Sequence, residues 1–197
     1  MAMSPFPIEP ELCLGVNYEL KMHSAAFHSI EVEFLRLLMW AARSRAYNTI
    51  VELGVAEGYA SWWLFQSIKN RMGKIYLVDT TLDSTKTMDL LGPSFDSQIK
   101  MYKGSTVDFF KIHEPRKKFD LIVIDANHDY NACVEDFELA REAISEGGII
   151  AVHDVNYLPG CVQAIKELEP RFPGTWMHYP CGKGLSLYEP GTGWESR

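Results

Sequence analysis

The sequence has few cysteines and none of the spacings that make cysteines a structural device. Its four cysteines, Cys13, Cys133, Cys161 and Cys181, lie far apart, and no two of them form a Cys-x-x-Cys pair. A zinc knuckle, a thiol redox motif and a small disulfide scaffold all require paired or closely spaced cysteines. We therefore expect reduced thiols and a cytoplasmic location.

An excess of positive charge is also absent. The chain carries 19 Lys and Arg residues against 26 Asp and Glu residues, a formal net charge of −7. This balance provides no bulk positive field that would attract a phosphate backbone. The triplet Arg116-Lys117-Lys118 is a local basic patch of the kind typical of a solvated turn. We do not expect a nucleic acid partner.

Long hydrophobic runs are missing as well. No run approaches the roughly 18 apolar residues that a membrane span needs. The first ten residues lack the basic region and the apolar region of a signal peptide. We expect a soluble, unprocessed protein with no membrane partner.

The composition predicts a single domain with a real core. Hydrophobic residues make up 47% of the 197 residues and aromatic residues 12%, and this length favours one domain. Residues 1–27 contain three prolines and show no sustained period, which predicts an irregular N-terminal arm. Residues 28–197 are predicted to form the domain itself.

Strand and helix patterns alternate along that domain. An amphipathic helix is predicted from an N-cap at Ser29 to Arg43 or Arg45. The strands that follow are predicted at 49–53, 74–79, 99–102, 119–125 and 149–152, and the helices between and after them at 59–68, 85–91, 107–112, 131–145 and 161–168. We expect Gly147-Gly148 to end the helix at 131–145, and Pro170 and Pro173 to stop the last one.

The tail of the chain predicts a hairpin. Residues 176–179 and 185–188 are short β-prone runs, and the link between them is too short for a crossover helix. The strand at 121–124 is apolar on both faces, as in a central parallel strand covered by helices on both sides. The predicted fold is a Rossmann-like three-layer α/β sandwich whose seven-stranded, mostly parallel sheet ends in an antiparallel hairpin.

The first strand runs into a glycine-bearing turn that opens a helix. The stretch from Glu52 to Gly58 reads Glu-x-Gly-x-x-x-Gly, so it has only two glycines and lacks the middle glycine of the dinucleotide fingerprint. Glycine lets a backbone approach a ligand closely, and an acidic strand end suits a cationic ligand better than a phosphate. An ordinary turn would use Gly54 and Gly58 for packing.

Two further strand ends carry small polar groups. Asp79 closes the second strand, where a carboxylate typically receives a ribose diol; the alternative is that Asp79 caps its own turn. Ser105 and Thr106 follow the third strand and suit either an adenine edge or a helix N-cap. Together these positions favour a nucleoside-bearing ligand.

In this order the motifs resemble those of the class I S-adenosylmethionine-dependent methyltransferases. The segment at 119–125 and the pair Gly147-Gly148 extend the likeness over about residues 30–190. The resemblance implies the strand order 3-2-1-4-5-7-6 and S-adenosylmethionine as the cofactor. It also implies a cofactor-binding set, which comprises Glu52, Gly54, Gly58, Asp79, Ser105, Thr106 and Asp125.

A narrower resemblance rests on residues 124–130 and on Val152-His153-Asp154. These segments look like the small enzymes related to catechol and caffeoyl-CoA O-methyltransferases, macrocin O-methyltransferase and the cephalosporin-hydroxylase-like proteins. The likeness implies a divalent metal, Mg²⁺ or Mn²⁺, on Asp125 and Asp154. The third ligand departs from both patterns, because His153 precedes Asp154 and the asparagine follows one residue late, as Asn156. We predict Asp125, His153 and Asp154 as the metal set, with Asn156 as the alternative.

The two histidines at these strand ends have open roles. His153 is predicted to act as a metal ligand, as a general base or as a structural residue, and His128 as a general base, a ligand or a structural residue. With Asp125 they form the candidate catalytic set. The expected function is metal-assisted O-methylation of a small-molecule hydroxyl. The alternatives are a hydroxylase-like or non-catalytic S-adenosylmethionine-binding protein of the same fold, and a nicotinamide dehydrogenase, which the missing glycine disfavours.

The resemblance also implies that the arm before the first helix covers cofactor and substrate. The first helix and the five tryptophans lead us to expect a homodimer or a higher homo-oligomer.

Overall fold

Short aliphatic runs form the strands of this protein, and the amphipathic segments between them form its helices. The computed structural model describes residues 30–92, 97–113 and 118–191. Its strands are β1 (Thr49–Leu53), β2 (Lys74–Asp79), β3 (Ile99–Lys103), β4 (Phe119–Ile124), β5 (Ile144–His153), β6 (Gly174–Tyr179) and β7 (Leu185–Pro190). Its helices are α1 (Val32–Ser44), α2 (Tyr59–Ile68), α3 (Ser84–Leu91), α4 (Thr106–His113), α5 (Tyr130–Ala143) and α6 (Pro159–Arg171), and a short 3₁₀ turn covers Lys69–Arg71.

Some of the expectations concern other parts of the chain. The N-terminal arm, residues 1–27, and the basic residues Arg116 and Lys117 lie outside the described residues. Among the residues that are described, no helix has the length and apolar character that crossing a membrane would require.

The seven strands form one sheet in the order β3-β2-β1-β4-β5-β7-β6. Strands β1 to β5 run parallel, and β7 lies antiparallel between β5 and β6. The predicted order and the predicted C-terminal hairpin are both confirmed. The direction of winding reverses between β1 and β4, and in an open sheet a ligand binds outside the carboxyl ends of the strands at such a point.

Helices cover both faces of the sheet, so its central strands are buried on both sides. Neighbouring residues of a strand point to opposite faces. Ile50 of β1 therefore belongs to an apolar cluster with side chains of α1, α2 and α3, and Val51 to a second cluster with α4, α5 and α6. The predicted three-layer sandwich is confirmed.

Helix α1 begins later than predicted. Its N-cap is Glu31, in an extended conformation and without a side-chain cap bond, so the prediction of Ser29 as N-cap is wrong. The Glu31 carboxylate is drawn away from the helix, because it accepts a hydrogen bond from the backbone N–H of Lys183 at 2.6 Å.

The glycine pair Gly147-Gly148 does not end helix α5, contrary to the prediction. Strand β5 begins at Ile144, directly after the helix, and both glycines lie inside the strand. The register of β5 against β4 shifts at this place, between Phe119 and Leu121 of β4. A Cβ on Gly148 would lie 2.9 Å from the carbonyl oxygen of Asp120, so the absence of a side chain lets the two strands approach.

Pro170 does not stop helix α6, which continues to Arg171. Proline lacks an N–H and so removes one bond of the ladder, but the next bond forms regardless: the N–H of Phe172 lies 3.0 Å from the carbonyl oxygen of Leu168. Phe172 is the C-cap, and its backbone is extended, as is usual for a residue that precedes proline.

Gly54 lies where the chain leaving β1 crosses the chain leaving β4. Its φ is +88°, in the left-handed region that favours glycine. A Cβ at this position would lie 2.1 Å from the carbonyl oxygen of Asp125. The turn therefore requires glycine both for its backbone angle and for the space.

We expect Gly54→Ala to lower the free energy of unfolding by about 3 kcal/mol, because the added methyl group overlaps backbone that cannot move away and the left-handed angle adds strain. Urea denaturation measures the change. Gly191→Ala is the control, since its Cβ would meet nothing within 4 Å. Equal unfolding free energies for the two variants would contradict the close approach.

Candidate functional site

A cleft of about 810 Å³ opens at the carboxyl ends of the strands, where the winding of the sheet reverses. The predicted site residues that line it are Glu52, Gly54, Asp79, Ser105, Thr106, Asp125, His128 and Asp154. Gly58 and His153 are not among its lining residues. The structure therefore brings most of the predicted residues to one cavity from five different parts of the chain.

Glu52 lies at the floor of this cleft and is almost completely buried, with 1% of its surface exposed. Its carboxyl group accepts a hydrogen bond from the hydroxyl of Ser61 on α2. Burial, the hydrogen bond from Ser61, which opposes it, and the charges of Asp125 and Asp79 together raise the pKa of Glu52 to about 8, and burial has the largest effect. The group is thus mainly protonated at neutral pH, and a cation entering the cleft would favour its ionised form.

Asp79 joins the turn after β1 to the turn after β2. One carboxylate oxygen accepts hydrogen bonds from the backbone N–H groups of Val55, at 2.9 Å, and Ala56, at 3.1 Å. The other accepts from the N–H and the hydroxyl of Thr81. Burial alone would raise the pKa of Asp79, but these hydrogen bonds outweigh burial and lower it. The capping role is therefore present, and binding of a ribose diol remains a prediction.

Ser105 and Thr106 begin helix α4. The Ser105 hydroxyl oxygen accepts from the backbone N–H of Asp108 at 3.1 Å, as an N-cap side chain does, and the hydroxyl donates to the Asp108 carboxylate at 2.8 Å. The Thr106 hydroxyl donates to Asp136 on α5. Burial raises the pKa of Asp136 to about 6. The predicted N-cap is present, and contact with an adenine edge remains a prediction.

Gly58 lies behind the turn rather than in the cleft. It is the N-cap of α2 with a φ of +83°. A Cβ there would face Leu90 and Thr87 of α3 at 3.4 and 3.5 Å. Gly58 thus lies where α2 packs against α3, and it does not line the cleft.

Three ionisable side chains meet at the mouth of the cleft. The Nε2 atom of His128 lies 3.0 Å from an oxygen of Asp154 and 3.5 Å from an oxygen of Asp125. One donor atom from each of the three residues lies within 4.8 Å of the others. Hydrogen bonds to Asp125 and then to Asp154 raise the pKa of His128 to about 10. The sequence placed His153, not His128, in the metal set.

Asp154 has two features that are unusual for a structural aspartate. Its φ is +61°, in the left-handed region that non-glycine residues seldom adopt. Its Oδ1 atom is buried and has no hydrogen-bond partner within the described residues. Strained backbone and unpaired buried oxygen cost free energy and concentrate at functional sites. The oxygen is suited to a ligand that adds positive charge.

His153 occupies a different environment from His128. Only 1% of its side chain is exposed, and both of its ring nitrogens face carboxylates. Nδ1 lies 3.1 Å from Asp125, and Nε2 lies 2.7 Å from Glu31. The alternative ligand Asn156 donates its side-chain N–H to the carbonyl oxygen of Pro180 at 2.8 Å. The Nδ1 atom of His153 also lies 3.6 Å from Oδ1 of Asp154, so His153 borders the cluster of Asp125, His128 and Asp154. Whether His153 or Asn156 is a metal ligand remains a prediction.

Glu31 was not predicted as a site residue. It lies 122 residues before His153 in the sequence, in a stretch where nothing but its charge sets it apart. Lys183, in the turn between β6 and β7, also lines the cleft and was not predicted. No local pattern in the sequence connects either residue with the strand ends.

The sequence from residue 51 to residue 155 matches the family model described as a methyltransferase domain. The match covers more than half of the chain. This chain belongs to that methyltransferase family. The matched segment begins in β1 and ends just beyond β5, so it contains every strand that contributes to the cleft.

Solved methyltransferase structures share the fold over nearly the whole chain. The O-methyltransferase of tomaymycin synthesis from Streptomyces achromogenes, in complex with S-adenosylmethionine, is 17% identical with a TM-score of 0.72, covering 90% of this chain and 91% of its own. A Bacillus cereus O-methyltransferase in complex with S-adenosylhomocysteine is 19% identical with a TM-score of 0.66, covering 89% and 91%. An S-adenosylhomocysteine-bound methyltransferase from Podospora anserina is 18% identical with a TM-score of 0.67, covering 96% and 100%.

At identities this low, the likeness shows the fold of the methyltransferase domain and not its substrate. None of the curated proteins matches this chain in sequence.

We expect the buried carboxyl group of Glu52 to make stability depend on pH. Its pKa rises from 4.5 to about 8 on folding, so its stabilising effect is complete below about pH 4.5 and is lost as the pH rises through 8. The wild type should lose roughly 1 kcal/mol per pH unit between about pH 5 and 8 relative to Glu52→Gln. Urea denaturation across this range measures the difference.

Glu57→Gln removes an exposed carboxylate from the same turn and is the matched control. A constant difference between the wild type and Glu52→Gln at all pH values would show that Glu52 is not held protonated.

Proposed function

We propose that this protein is an S-adenosylmethionine-dependent methyltransferase that methylates a hydroxyl group of a small molecule with the help of a divalent cation. The observation that carries the proposal is the cluster of Asp125, His128 and Asp154 in the same cleft as the buried Glu52. The solved relatives that hold S-adenosylmethionine or S-adenosylhomocysteine support the choice of donor.

The proposed donor site follows the charges and the shape of the cleft. S-adenosylmethionine carries a sulfonium and an ammonium group, and Glu52 offers a buried carboxyl group that such positive charge would ionise. Asp79 lies one strand away and has the place expected for a ribose contact. Ser105 and Thr106 begin the next helix and would face the adenine. Gly54 leaves the floor of the cleft free of a side chain.

The residues at the mouth of the cleft fit a divalent cation. Asp125 and Asp154 supply the oxygen ligands that Mg²⁺ and Mn²⁺ prefer, and Oδ1 of Asp154 has no hydrogen-bond partner within the described residues. A bound cation of this kind would orient the acceptor and lower the pKa of its hydroxyl group. Asp125 and Asp154 would hold it.

His128 is the proposed proton acceptor in its neutral form. A cation held by Asp125 and Asp154 would favour that form, because it would offset the carboxylate charges that otherwise raise the pKa of the imidazole. The acceptor oxygen attacks the methyl carbon, the bond from carbon to sulfur breaks, and its electron pair neutralises the sulfonium as S-adenosylhomocysteine forms. The hydroxyl proton passes to the His128 imidazole. Without a cation the carboxylates of Asp154 and Asp125 stabilise the protonated ring, since both face Nε2. The remaining contribution is proximity, because displacement needs no covalent enzyme intermediate.

The donor and the cation are tested together. We expect S-adenosylmethionine to bind the wild type in isothermal titration calorimetry, and methyl transfer to a catechol probe, 3,4-dihydroxybenzoic acid, to require Mn²⁺ or Mg²⁺. Release of S-adenosylhomocysteine measures the transfer. Absence of donor binding would overturn the proposal. If S-adenosylmethionine binds and a chelator leaves turnover unchanged, only the role of the cation in the proposal would be wrong.

We expect Asp125→Asn to separate binding from turnover. The substitution removes the charge that holds the cation but keeps the size of the side chain, so turnover should fall at least about 100-fold while donor affinity stays within a few fold. Asp129→Asn, in the same loop but exposed, is the control. Equal losses of donor affinity and turnover would assign Asp125 to the donor or to the fold.

We expect His128→Gln to lower turnover about 100-fold or more through loss of the proton acceptor, while Mn²⁺ affinity changes little. Electron paramagnetic resonance measures Mn²⁺ binding, and His178→Gln, an exposed histidine on β6, is the control. A loss of Mn²⁺ affinity as large as that of Asp125→Asn would reassign His128 as a metal ligand.

A further inference from the structure

Glu31 connects three parts of the fold behind the cleft. It precedes α1, and 26% of its side chain is exposed. One carboxylate oxygen lies 2.7 Å from Nε2 of His153 at the end of β5. The other accepts the backbone N–H of Lys183, in the turn between β6 and β7, at 2.6 Å. Glu31 does not line the cleft itself, whereas Asp125 and Lys183 do.

His153 transmits this contact to the site. Its other ring nitrogen, Nδ1, lies 3.1 Å from Oδ1 of Asp125. An ionised carboxylate can accept hydrogen bonds but cannot donate them, so both ring nitrogens act as donors. The Phe34 ring packs edge-on against the imidazole with the ring centroids 6.3 Å apart. The ring is therefore held from both ends and from one side, and it fixes one oxygen of Asp125.

The turn between β6 and β7 is shaped around the Glu31 carboxylate. Gly182 has a φ of +56°, and a Cβ on it would lie 2.4 Å from Oε1 of Glu31. A side chain at this position would expel the carboxylate from its contact with Lys183. This fit distinguishes Glu31 from a surface acid with an incidental ion pair.

We propose that Glu31 is a positioning residue of the site, which holds the Asp125 carboxylate in place for the divalent cation through the imidazole of His153. The inference rests on the proposed function, because it concerns the same cation. Groups that orient a metal ligand commonly affect affinity as strongly as some ligands do, with losses of 10- to 100-fold when they are changed. Glu31 reaches the site from the start of α1, outside the segment that matches the family.

The first test is Glu31→Gln. Glutamine has the same size but only one acceptor oxygen, so it cannot accept from both His153 and Lys183. We expect Mn²⁺ binding, measured by electron paramagnetic resonance, to weaken by about 10- to 100-fold. The affinity for S-adenosylmethionine, measured by calorimetry, and the melting temperature should stay close to those of Glu33→Gln. That control removes an exposed carboxylate from the first turn of the same helix.

The second test is Glu31→Ala with added formate. The site is partly exposed, so a small carboxylate can enter the space that the substitution leaves and accept from Nε2 of His153. We expect formate, but not chloride at equal ionic strength, to restore part of the Mn²⁺ affinity. A role in packing alone would not respond to formate.

Three results would count against the inference. Mn²⁺ affinity of Glu31→Gln equal to that of Glu33→Gln would overturn it and leave the proposed function standing. If Glu31→Gln also lost affinity for S-adenosylmethionine and melted at a lower temperature, and Glu31→Ala did not respond to formate, Glu31 would have a structural role only. A wild type that binds S-adenosylmethionine but not Mn²⁺ would overturn both this inference and the cation of the proposed function.

Discussion

Crowding of negative charge at one edge of the sheet is the constraint on which the rest of the site depends. Strands β1, β2, β4 and β5 each deliver a carboxyl group to the same cleft, as Glu52, Asp79, Asp125 and Asp154. Like charges in a partly buried space repel one another and lose hydration. Parallel strands bring their carboxyl ends to one side, so the topology itself imposes this cost.

The protein compensates each carboxyl group in a different way. Glu52 is kept protonated by burial, and Asp79 accepts backbone and hydroxyl hydrogen bonds. Asp125 faces two imidazoles, and these hydrogen bonds lower its pKa although burial opposes them. Asp154 alone keeps a buried oxygen without a hydrogen-bond partner in the described part of the chain. The oxygen that lacks a hydrogen bond thus lies where the proposed cation would lie.

The two histidines show how similar residues acquire separate tasks. His128 lies in the loop after β4 and has 40% of its side chain exposed, whereas His153 ends β5 and is buried. The exposed ring lines the cleft, and the buried ring does not. Sequence patterns place both next to acidic strand ends and do not distinguish them, because exposure depends on what packs above each strand end. For His153 this includes Phe34 and Glu31, which come from α1 and the residue before it.

The order of motifs along the chain determined the fold and most of the cleft. Alternating strand and helix patterns predicted the sheet, and the acidic and glycine positions at strand ends predicted the lining residues. A sequence pattern locates each strand end, and a parallel sheet brings the carboxyl ends of its strands to one edge. Tertiary structure alone decided that Gly147-Gly148 lie inside β5 beside a register shift, that His128 meets Asp125 and Asp154 at the cleft, and that Glu31 contacts His153. Each of these depends on contacts between distant segments, whose distances a sequence pattern does not contain.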